Sequence, residues 1–473
     1  MFTPVKMERL FAAVPKDLSG SVIAALGETG ACHFIAPAVG ALDLSDRKRL
    51  LAAVERRLDE RLFSLPEGAK VRTGIEISSN ADRALSELAW EAMSPALSRA
   101  RALEIRKALR RLQSIYAVME LFRETAHTYM LEAWVPHGME NVVSEAIDRA
   151  SGGRAVVSMS APEFGDAPPT LLSNPVYMRP FEYLVKKYGL PSYYEIDPTC
   201  VIFVSFPLIF GMMYGDIGHG IVLLALSMLV YFIEKFWRRT QLSDLGPILV
   251  FCAFYSIVFG LLYGEAFGME IEPQWRRPSD NIAYFLVLSV WIGVAHHVIG
   301  FILNAINLWK NKKYLRSIFQ FQWIIFSATN ILFVISSFDR GYIDTPSLWI
   351  LVLVPALVMD AEGIYINKIE GKGILSGAMV PFYLGLKYSL NLISYMRLVI
   401  MALVHSTVSA TIIAVSAETG ASLVVSGLVT VVLIIVVDTF VVLVQTLRLH
   451  WVEWFYIFYK GRGIEFSPFR LQL

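Results

Sequence analysis

The sequence predicts an α-helical polytopic membrane domain of about eight transmembrane helices, the last two long and tilted. An α+β cytosolic domain with a short helical-hairpin or coiled-coil arm precedes it. Three observations carry this reading. The 473 residues are 55% hydrophobic with a mean hydropathy of +0.52, yet the average hides a split. Residues 1 to about 195 have an ordinary globular composition rich in Arg, Glu and Asp, whereas from about 199 long apolar runs alternate with short polar loops. The last two runs, at about 381–416 and 421–457, far exceed the ~20 residues a bilayer crossing needs, so they should tilt or project beyond it. The domains expected are therefore 1–168, cytosolic; 169–199, a linker or amphipathic connection; and 200–473, transmembrane.

Composition also excludes. A formal charge of +1 gives no sign of nucleic-acid binding, and Cys32, Cys200 and Cys252 are too scattered for a disulfide framework or a CxxC metal pair. The N-terminal MFTPVKMERLFAAVPKDLSG lacks an apolar h-region and a cleavage site, so the first domain is expected to remain in the cytosol.

In the soluble part, alternation and spacing predict a first small α/β lobe: strand Met7–Ala13, helix Lys16–Gly27 and strand Cys32–Ile35. Asp43–Arg61 reads as a charged helix with Leu50, Leu51, Val54 and Leu58 on one face. Pro66-Glu67-Gly68 breaks it, and Val71–Ile77 alternates like a strand. Residues 81–124 are again helical, with Pro95 a start or kink. Leu97, Leu103, Leu109, Leu112, Ile115, Met119 and Phe122 suit half of a coiled-coil-like hairpin or an ordinary two-helix packing. A second α/β lobe follows: strand Thr128–Val135, helix Glu140–Ala150 and strand Arg154–Met159. The Pro-rich Ala161–Pro169 leads out of it.

Eight spans are expected at about 200–214, 218–236, 247–263, 282–303, 321–338, 347–361, 381–416 and 421–457. With the first domain inside, the inner loops and C-terminal tail hold twelve Lys and Arg, from Lys235 to Arg470. The outer loops hold Arg276, Arg277 and Arg340. That asymmetry fits the positive-inside rule with both termini cytosolic.

The chemistry-bearing residues crowd into the last two spans. Arg397 sits in the middle of an apolar run, where a guanidinium costs at least ~2.5 kcal/mol, so a functional reason is expected. Ser394, Arg397 and His405 share one broad helical face, at offsets of three and eleven residues from Ser394. Asp438, Gln445 and Arg448 form a second stripe, and the short outer loop Ala417–Ala421 joins the two helices. Two such stripes suggest an ion or proton path between them or against a partner; a structural Arg397–Asp438 ion pair is the alternative. Arg stays protonated and can strip a proton from a passing carboxylate, while His405 and Asp438 can relay protons. Among weaker signals, Asp216 and His219 in GDIGHG sit at a turn whose glycines need only tight packing, and Glu265 in YGEAFG could border an exit path. His296 and His297 suit helix packing, and Asp360 and Glu362 suit solvation. The sequence holds no GxxxxGK[ST] loop, HExxH or GxSxG, so neither a nucleotide site nor a cofactor or metal is expected.

PPTLLSNP, YGLPSYYEIDPT, GMMYGDIGHG, LLYGEAFG, ISYMRLVIMALVHS and LRLHWVEWFYIFYKGRGIEFSPF, in this order, resemble the membrane stator subunit of V/A-type rotary ATPases. This is subunit a of vacuolar enzymes and subunit I of archaeal and bacterial ones. The resemblance runs from about 168 to 473; MERLFAAVPKDL and LEAWVPHGMEN look like the family's two cytosolic lobes. It implies that Arg397 and Arg448 match the arginines of the seventh and eighth helices, and that His405, Asp438 and Gln445 match polar half-channel positions. It further implies a rotating ring of carboxylate-bearing proteolipid subunits as partner, with a central-stalk-capping subunit, peripheral stalks at the N-terminal domain and the lipid bilayer. A prokaryotic plasma membrane is the expected setting. The sequence departs from the family in a shortened N-terminal domain and in Tyr383 and Lys387, which stand where many relatives carry an acid. The expected function is proton or sodium translocation coupled to ATP hydrolysis or synthesis, without a nucleotide site in this chain. A self-contained secondary transporter, built on inverted repeats and discontinuous helices, is the alternative.

Overall fold

The computed structural model describes residues 3–36, 42–62, 80–94, 97–163, 165–237, 245–318, 320–326, 387–419 and 431–471, with isolated positions between 354 and 385. The breaker Pro66-Glu67-Gly68, the strand expected at Val71–Ile77, most of the spans expected at 321–338 and 347–361, and Asp360 and Glu362 lie outside the described residues. The chain divides into two compact units, Val5–Leu171 with Gly463–Leu473, and Met1–Pro4 with Leu172–Arg462.

The first unit is built on a single antiparallel sheet. Strand β1 (Met7–Pro15) leads through a 3₁₀ turn (Lys16–Leu18) to α1 (Ser19–Thr29) and β2 (His33–Phe34). Helices α2 (Ser45–Leu62), α3 (Ala81–Met93) and α4 (Arg99–Met119) intervene before β3 (Arg123–Glu124), β4 (Thr128–Pro136), α5 (Glu140–Ser151) and β5 (Val156–Ser160). The order β2–β4–β1–β5, with β3 on β4, is the split βαβ arrangement of ferredoxin-like sheets. The two lobes expected from the sequence are thus one. All nine residues of β1 pair with β4, Met7 against Pro136 through Pro15 against Thr128. The physical reason is that a two-stranded lobe leaves unpaired edges and too little core to stand alone. The buried alternation of Leu10, Ala12 and Val14 with Leu131, Ala133 and Val135 builds the face that α1 and α5 cover.

The helices between β2 and β3 pack on one another rather than projecting as an isolated hairpin. Leu51, Val54, Leu58, Leu85, Leu88, Leu109, Leu112 and Ile115 are buried in one core continuous with the sheet's. Leu50 and Leu103, expected on the apolar faces, are 48% and 42% exposed instead, because Leu51 and Ala102 occupy those inward positions. Asn80 caps α3 and Ser98 caps α4, each side chain accepting from the first turn's N–H groups. The start or kink expected at Pro95 lies outside the described residues. The Tyr116 hydroxyl donates to Asp82 Oδ1 at 2.9 Å. Its burial, with the adjacent carboxylate, pushes the phenol well up from its ordinary value. Burial alone pushes the Cys32 thiol up to about 12, which leaves it inert as a nucleophile.

The C-terminal residues return to this sheet unit. Ile464 and Phe466 bracket Thr170, whose N–H donates to Ile464 O at 2.7 Å and whose carbonyl accepts from Phe466 at 3.1 Å. Phe469 N–H donates to Cys32 O at 2.8 Å, and the Phe469 ring meets Phe34 edge-on. His33 Nδ1 lies 3.0 Å from Ser467 N and 3.1 Å from its carbonyl oxygen.

The second unit is helical: α6 (Arg179–Tyr188), α7 (Thr199–Tyr214), α8 (Ile217–Trp237), α9 (Leu245–Tyr263), the hairpin β6 (Glu265–Ala266) and β7 (Met269–Glu270), and α10 (Ile282–Lys310). After a 3₁₀ turn at Ser394–Met396 come α11 (Arg397–Thr419), a π-helix at Val431–Asp438, α12 (Thr439–Arg448), a second π-helix at Leu449–Trp454, and α13 (Phe455–Phe458). Among the described residues four stretches are long and apolar enough to cross a membrane: Leu245–Tyr263, Ile282–Lys310, Lys387–Val415 and Ile435–Phe458. Two shorter apolar helices, Thr199–Tyr214 and Ile217–Ile233, accompany them. Polar anchors fix their ends. Asp197 accepts from Thr199 N–H at 3.0 Å at the start of α7. Asn307 on α10 accepts from Ile196 N–H and donates to Phe458 O, tying three elements at one level.

Burial lowers the His33 pKa below its ordinary 6.5, against an opposing pull from the Ser467 carbonyl. A neutral imidazole in the folded state means that the unfolded chain binds the extra proton. Tail docking should therefore be complete above about pH 6.5 and weaken as the pH falls through the lowered folded value. Hydrogen exchange of the Phe469 and Leu471 amides, corrected for intrinsic rates, should show protection falling between pH 7 and 5 in the native chain but not in His33→Gln.

Candidate functional site

The motifs GDIGHG and YGEAFG build one buried corner. Asp216 precedes α8 and its carboxylate collects three backbone N–H groups. His219 donates to Oδ1 at 2.8 Å, Phe267 to Oδ1 at 3.0 Å and Gly268 to Oδ2 at 3.0 Å. The first of these is an N-cap bond; the other two come from the loop between β6 and β7. Both loop residues have positive φ, 53° at Phe267 and 75° at Gly268, as a two-residue type I′ hairpin loop requires. Phe267 pays for its unusual backbone with its ring: a Cβ on Gly218 would come within 2.3 Å of it. Gly260 on α9 likewise leaves no room for a side chain, since its Cβ would meet Ile217 N at 2.4 Å. The glycines are there for close approach, and the approach delivers Asp216 and His219, both fully buried, to the inside.

Helix α11 brings His405 to the same corner. His405 is 2% exposed, and its Nδ1 lies 2.6 Å from Asp438 Oδ2. An ionised carboxylate only accepts, so Nδ1 carries the proton. The His405 ring meets the His219 ring edge-on at 5.4 Å and tilts against Tyr214 at 4.4 Å. One residue on, Ser406 Oγ donates to buried Glu265 at 3.0 Å. The structure thus brings Asp216, His219, Glu265, His405 and Asp438 into one buried polar cluster.

A second cluster surrounds Arg397. Its Nη1 lies 3.7 Å from Glu453 Oε1, and Arg448 Nε lies 3.8 Å from the same oxygen. Glu453 is 2% exposed, Arg397 17% and Arg448 57%, so the carboxylate is enclosed, Arg397 is largely covered and Arg448 reaches outward. Neither contact is a hydrogen bond. Arg397 Nη1, Glu453 Oε2 and Gln445 Oε1 are buried without hydrogen-bond partners among the described residues. The alternative of an Arg397–Asp438 pair is overturned: Asp438 belongs to His405, and Arg397 to Glu453.

Glu453 escaped the sequence reading. Five residues from Arg448, it would lie roughly 140° around a regular α-helix. The π-helix Leu449–Trp454 bonds i to i+5 instead and stacks the two on one face. Behind Glu453, His296 stacks on Trp454 at 4.4 Å and hydrogen-bonds the Tyr395 hydroxyl at 2.8 Å, while His450 meets Ser205 Oγ at 2.9 Å. His297 bonds the Gly293 carbonyl of its own helix. Ser394 is not drawn into either cluster; its hydroxyl turns back to Leu390 O at 3.2 Å. Lys387 lies over the Tyr456 ring at 4.4 Å, and Tyr383 is exposed.

The contacts Arg397–Glu453 and His405–Asp438 fix an antiparallel register between α11 and the α12 region. Eight residues separate Arg397 from His405, so the two clusters lie ~12 Å apart along α11. The arrangement sets two arginines around a carboxylate at one level and a group of imidazoles and carboxylates at another.

Residues 79–275 match the V-type ATPase 116 kDa subunit family. The chain is 30% identical over 369 residues to A-type ATP synthase subunit I of Pyrococcus horikoshii, covering 73% of this chain and 54% of that one. It is 26% identical over 459 residues to A-type ATP synthase subunit I of Methanocaldococcus jannaschii, covering 84% and 65%. It is 24% identical over 311 residues to the vacuolar proton translocating ATPase 100 kDa subunit of Dictyostelium discoideum, covering 53% and 38%. Its motifs and these relatives make the chain similar to the V/A-type ATPase subunit a/I proteins. It is a membrane protein that spans between about half and two thirds of the length of the archaeal relatives it matches.

Truncating Glu453 leaves the half-buried Arg397 without its counter-charge. Breaking a fully buried ion pair costs about 3–5 kcal/mol, and solvent reaching Arg448 reduces that here. Glu453→Ala should lower the thermal midpoint of the detergent-solubilised chain accordingly. The double variant Glu453→Ala/Arg397→Leu should recover much of the loss, and equal midpoints for both would remove the pair as a structural element.

Proposed function

We propose that this chain is the membrane stator of a rotary V/A-type ATPase. It carries protons or sodium through two offset half-channels against a rotating ring of carboxylate-bearing proteolipid subunits. The observation that carries this reading is the separation of the two clusters along one antiparallel helix pair. The cluster of His405, Asp438, Asp216, His219 and Glu265 lies toward the Thr419 end of α11, and the cluster of Arg397, Arg448 and Glu453 lies toward its start.

Each has a part in the reading. His405, Asp438, Asp216, His219 and Glu265 line the half-channel on the side opposite the cytosol, where groups held close to one another can pass a proton. Arg397 is the electrostatic barrier. It keeps its charge at all accessible pH values, so a proton cannot cross by way of it. A carboxylate arriving on the ring beside Arg397 is held ionised and must have given up its proton. Glu453 refines this part. It balances the two arginines from behind at ion-pair rather than hydrogen-bond distance, leaving the guanidinium donors available to the ring carboxylate. Without Glu453, the resting site would face the ring as two uncompensated cations; with a tighter pair, Arg397 would be sequestered. Gln445 and Arg448 flank the same face.

The proposed topology has eight spans with both termini cytosolic, and the soluble unit meets the peripheral stalks and the central-stalk-capping subunit. ATP is bound by other subunits of the assembly. The relatives' names, ATP synthase and proton translocating ATPase, support the reading.

In the assembled complex, Arg397→Ala should abolish ATP-driven ion transport into vesicles while the complex still co-purifies with its ring. Retained pumping in that variant would overturn the proposal. Transport by the purified chain alone in liposomes would favour a self-contained transporter instead.

A further inference from the structure

We propose that Asp216, His219 and His405 form a binding site for a divalent cation of the zinc class. One ligand atom from each lies within 4.8 Å of the others, and all three side chains are buried. The unused valences point to a ligand. Nε2 of His219 and Nε2 of His405 are buried and make no hydrogen bond among the described residues. A buried polar atom left in that state costs about 1–3 kcal/mol, and a cation would take up the lone pairs.

The surroundings prepare the three groups for ligation. Asp438 accepts the Nδ1 proton of His405 at 2.6 Å, which leaves the Nε2 lone pair free. A carboxylate behind a histidine in this way fixes the tautomer and ring direction of a metal ligand and raises its basicity. Asp216 is oriented by its three backbone N–H donors, and His219 Nδ1 stands 3.2 Å from Asp216 Oδ2. Ligands held at ~2.0–2.1 Å from a tetrahedral zinc ion sit ~3.3 Å from one another, so the three need to close by at most about 1.5 Å. Two imidazoles and one carboxylate select zinc-like ions over magnesium and calcium, which prefer oxygen ligands throughout. Three protein ligands leave a fourth position open to a water molecule.

Binding stands on this geometry alone. Its consequence rests on the half-channel reading: a bound cation would occupy the nitrogens that pass the proton and stop transport.

Zinc chloride titrated calorimetrically into the purified full chain tests this. A His137→Ala background removes the exposed Glu8–His137–Glu140 group, which otherwise gathers three ligand atoms at the surface. One zinc per chain is expected, weakened at least tenfold by His219→Gln and by His405→Gln, with no response to magnesium chloride. The X-ray absorption spectrum of the zinc-loaded His137→Ala protein should show two nitrogen donors, and it decides the matter even where a further variant misfolds. All-oxygen ligation, or no retained zinc, would overturn the site. Zinc held by two nitrogens in an assembled complex whose transport is unimpaired would support the site and remove the half-channel reading.

Discussion

A carboxylate enclosed among apolar helices sets the terms for the helical unit. Glu453 is almost fully buried, and a lone ionised carboxylate there would be untenable. Arg397 and Arg448 resolve that, but only if the stretch that carries Glu453 runs antiparallel to α11 at one register. The same register carries His405 to Asp438. An ion pair and a hydrogen bond to a carboxylate therefore enforce a single alignment, and a slip of either helix would leave polar groups unmatched at both levels.

The remaining helices shape the space this alignment needs. Missing side chains at Gly218 and Gly260 let α8, α9 and the β6–β7 loop close on one another, and Asp216 binds the loop's amides as it caps α8. On the other side of α11, Gly293 accepts the Tyr395 ring, where a Cβ would stand 2.7 Å from it. Tyr395 in turn holds His296 against Trp454. Aromatic packing and hydrogen bonds thus lead continuously from α10 to the residues around Glu453.

Much of this was legible in the sequence because its signals are local. Strand and helix limits in the soluble unit follow from alternation and caps, and the prominence of Arg397, His405, Asp438 and Arg448 follows from the cost of charge in apolar runs. Non-local facts were not legible. Alternation in β1 and β4 marks two strands but not their mutual pairing, hence two expected lobes and one observed sheet. Stripes drawn with a regular 3.6-residue period passed over Glu453, because nothing in LHWVEW announces a π-helix. Asp216 and His219 sat in a motif whose glycines already had a sufficient explanation, and only their convergence with His405 distinguishes the two accounts.

The return of residues 464–471 to the sheet unit bears on the order in which the molecule is made. The sheet unit closes late: β1 to β5 precede the helical stretch, yet the carbonyls of Thr170, Cys32 and Gly27 take their partners from residues 464–471, which follow it. Completion of the sheet unit thereby waits until the helical stretch before residue 463 has been made. A chain arrested partway through the spans would display an incomplete sheet domain, recognisable as unfinished by any factor that samples exposed edges and apolar surface.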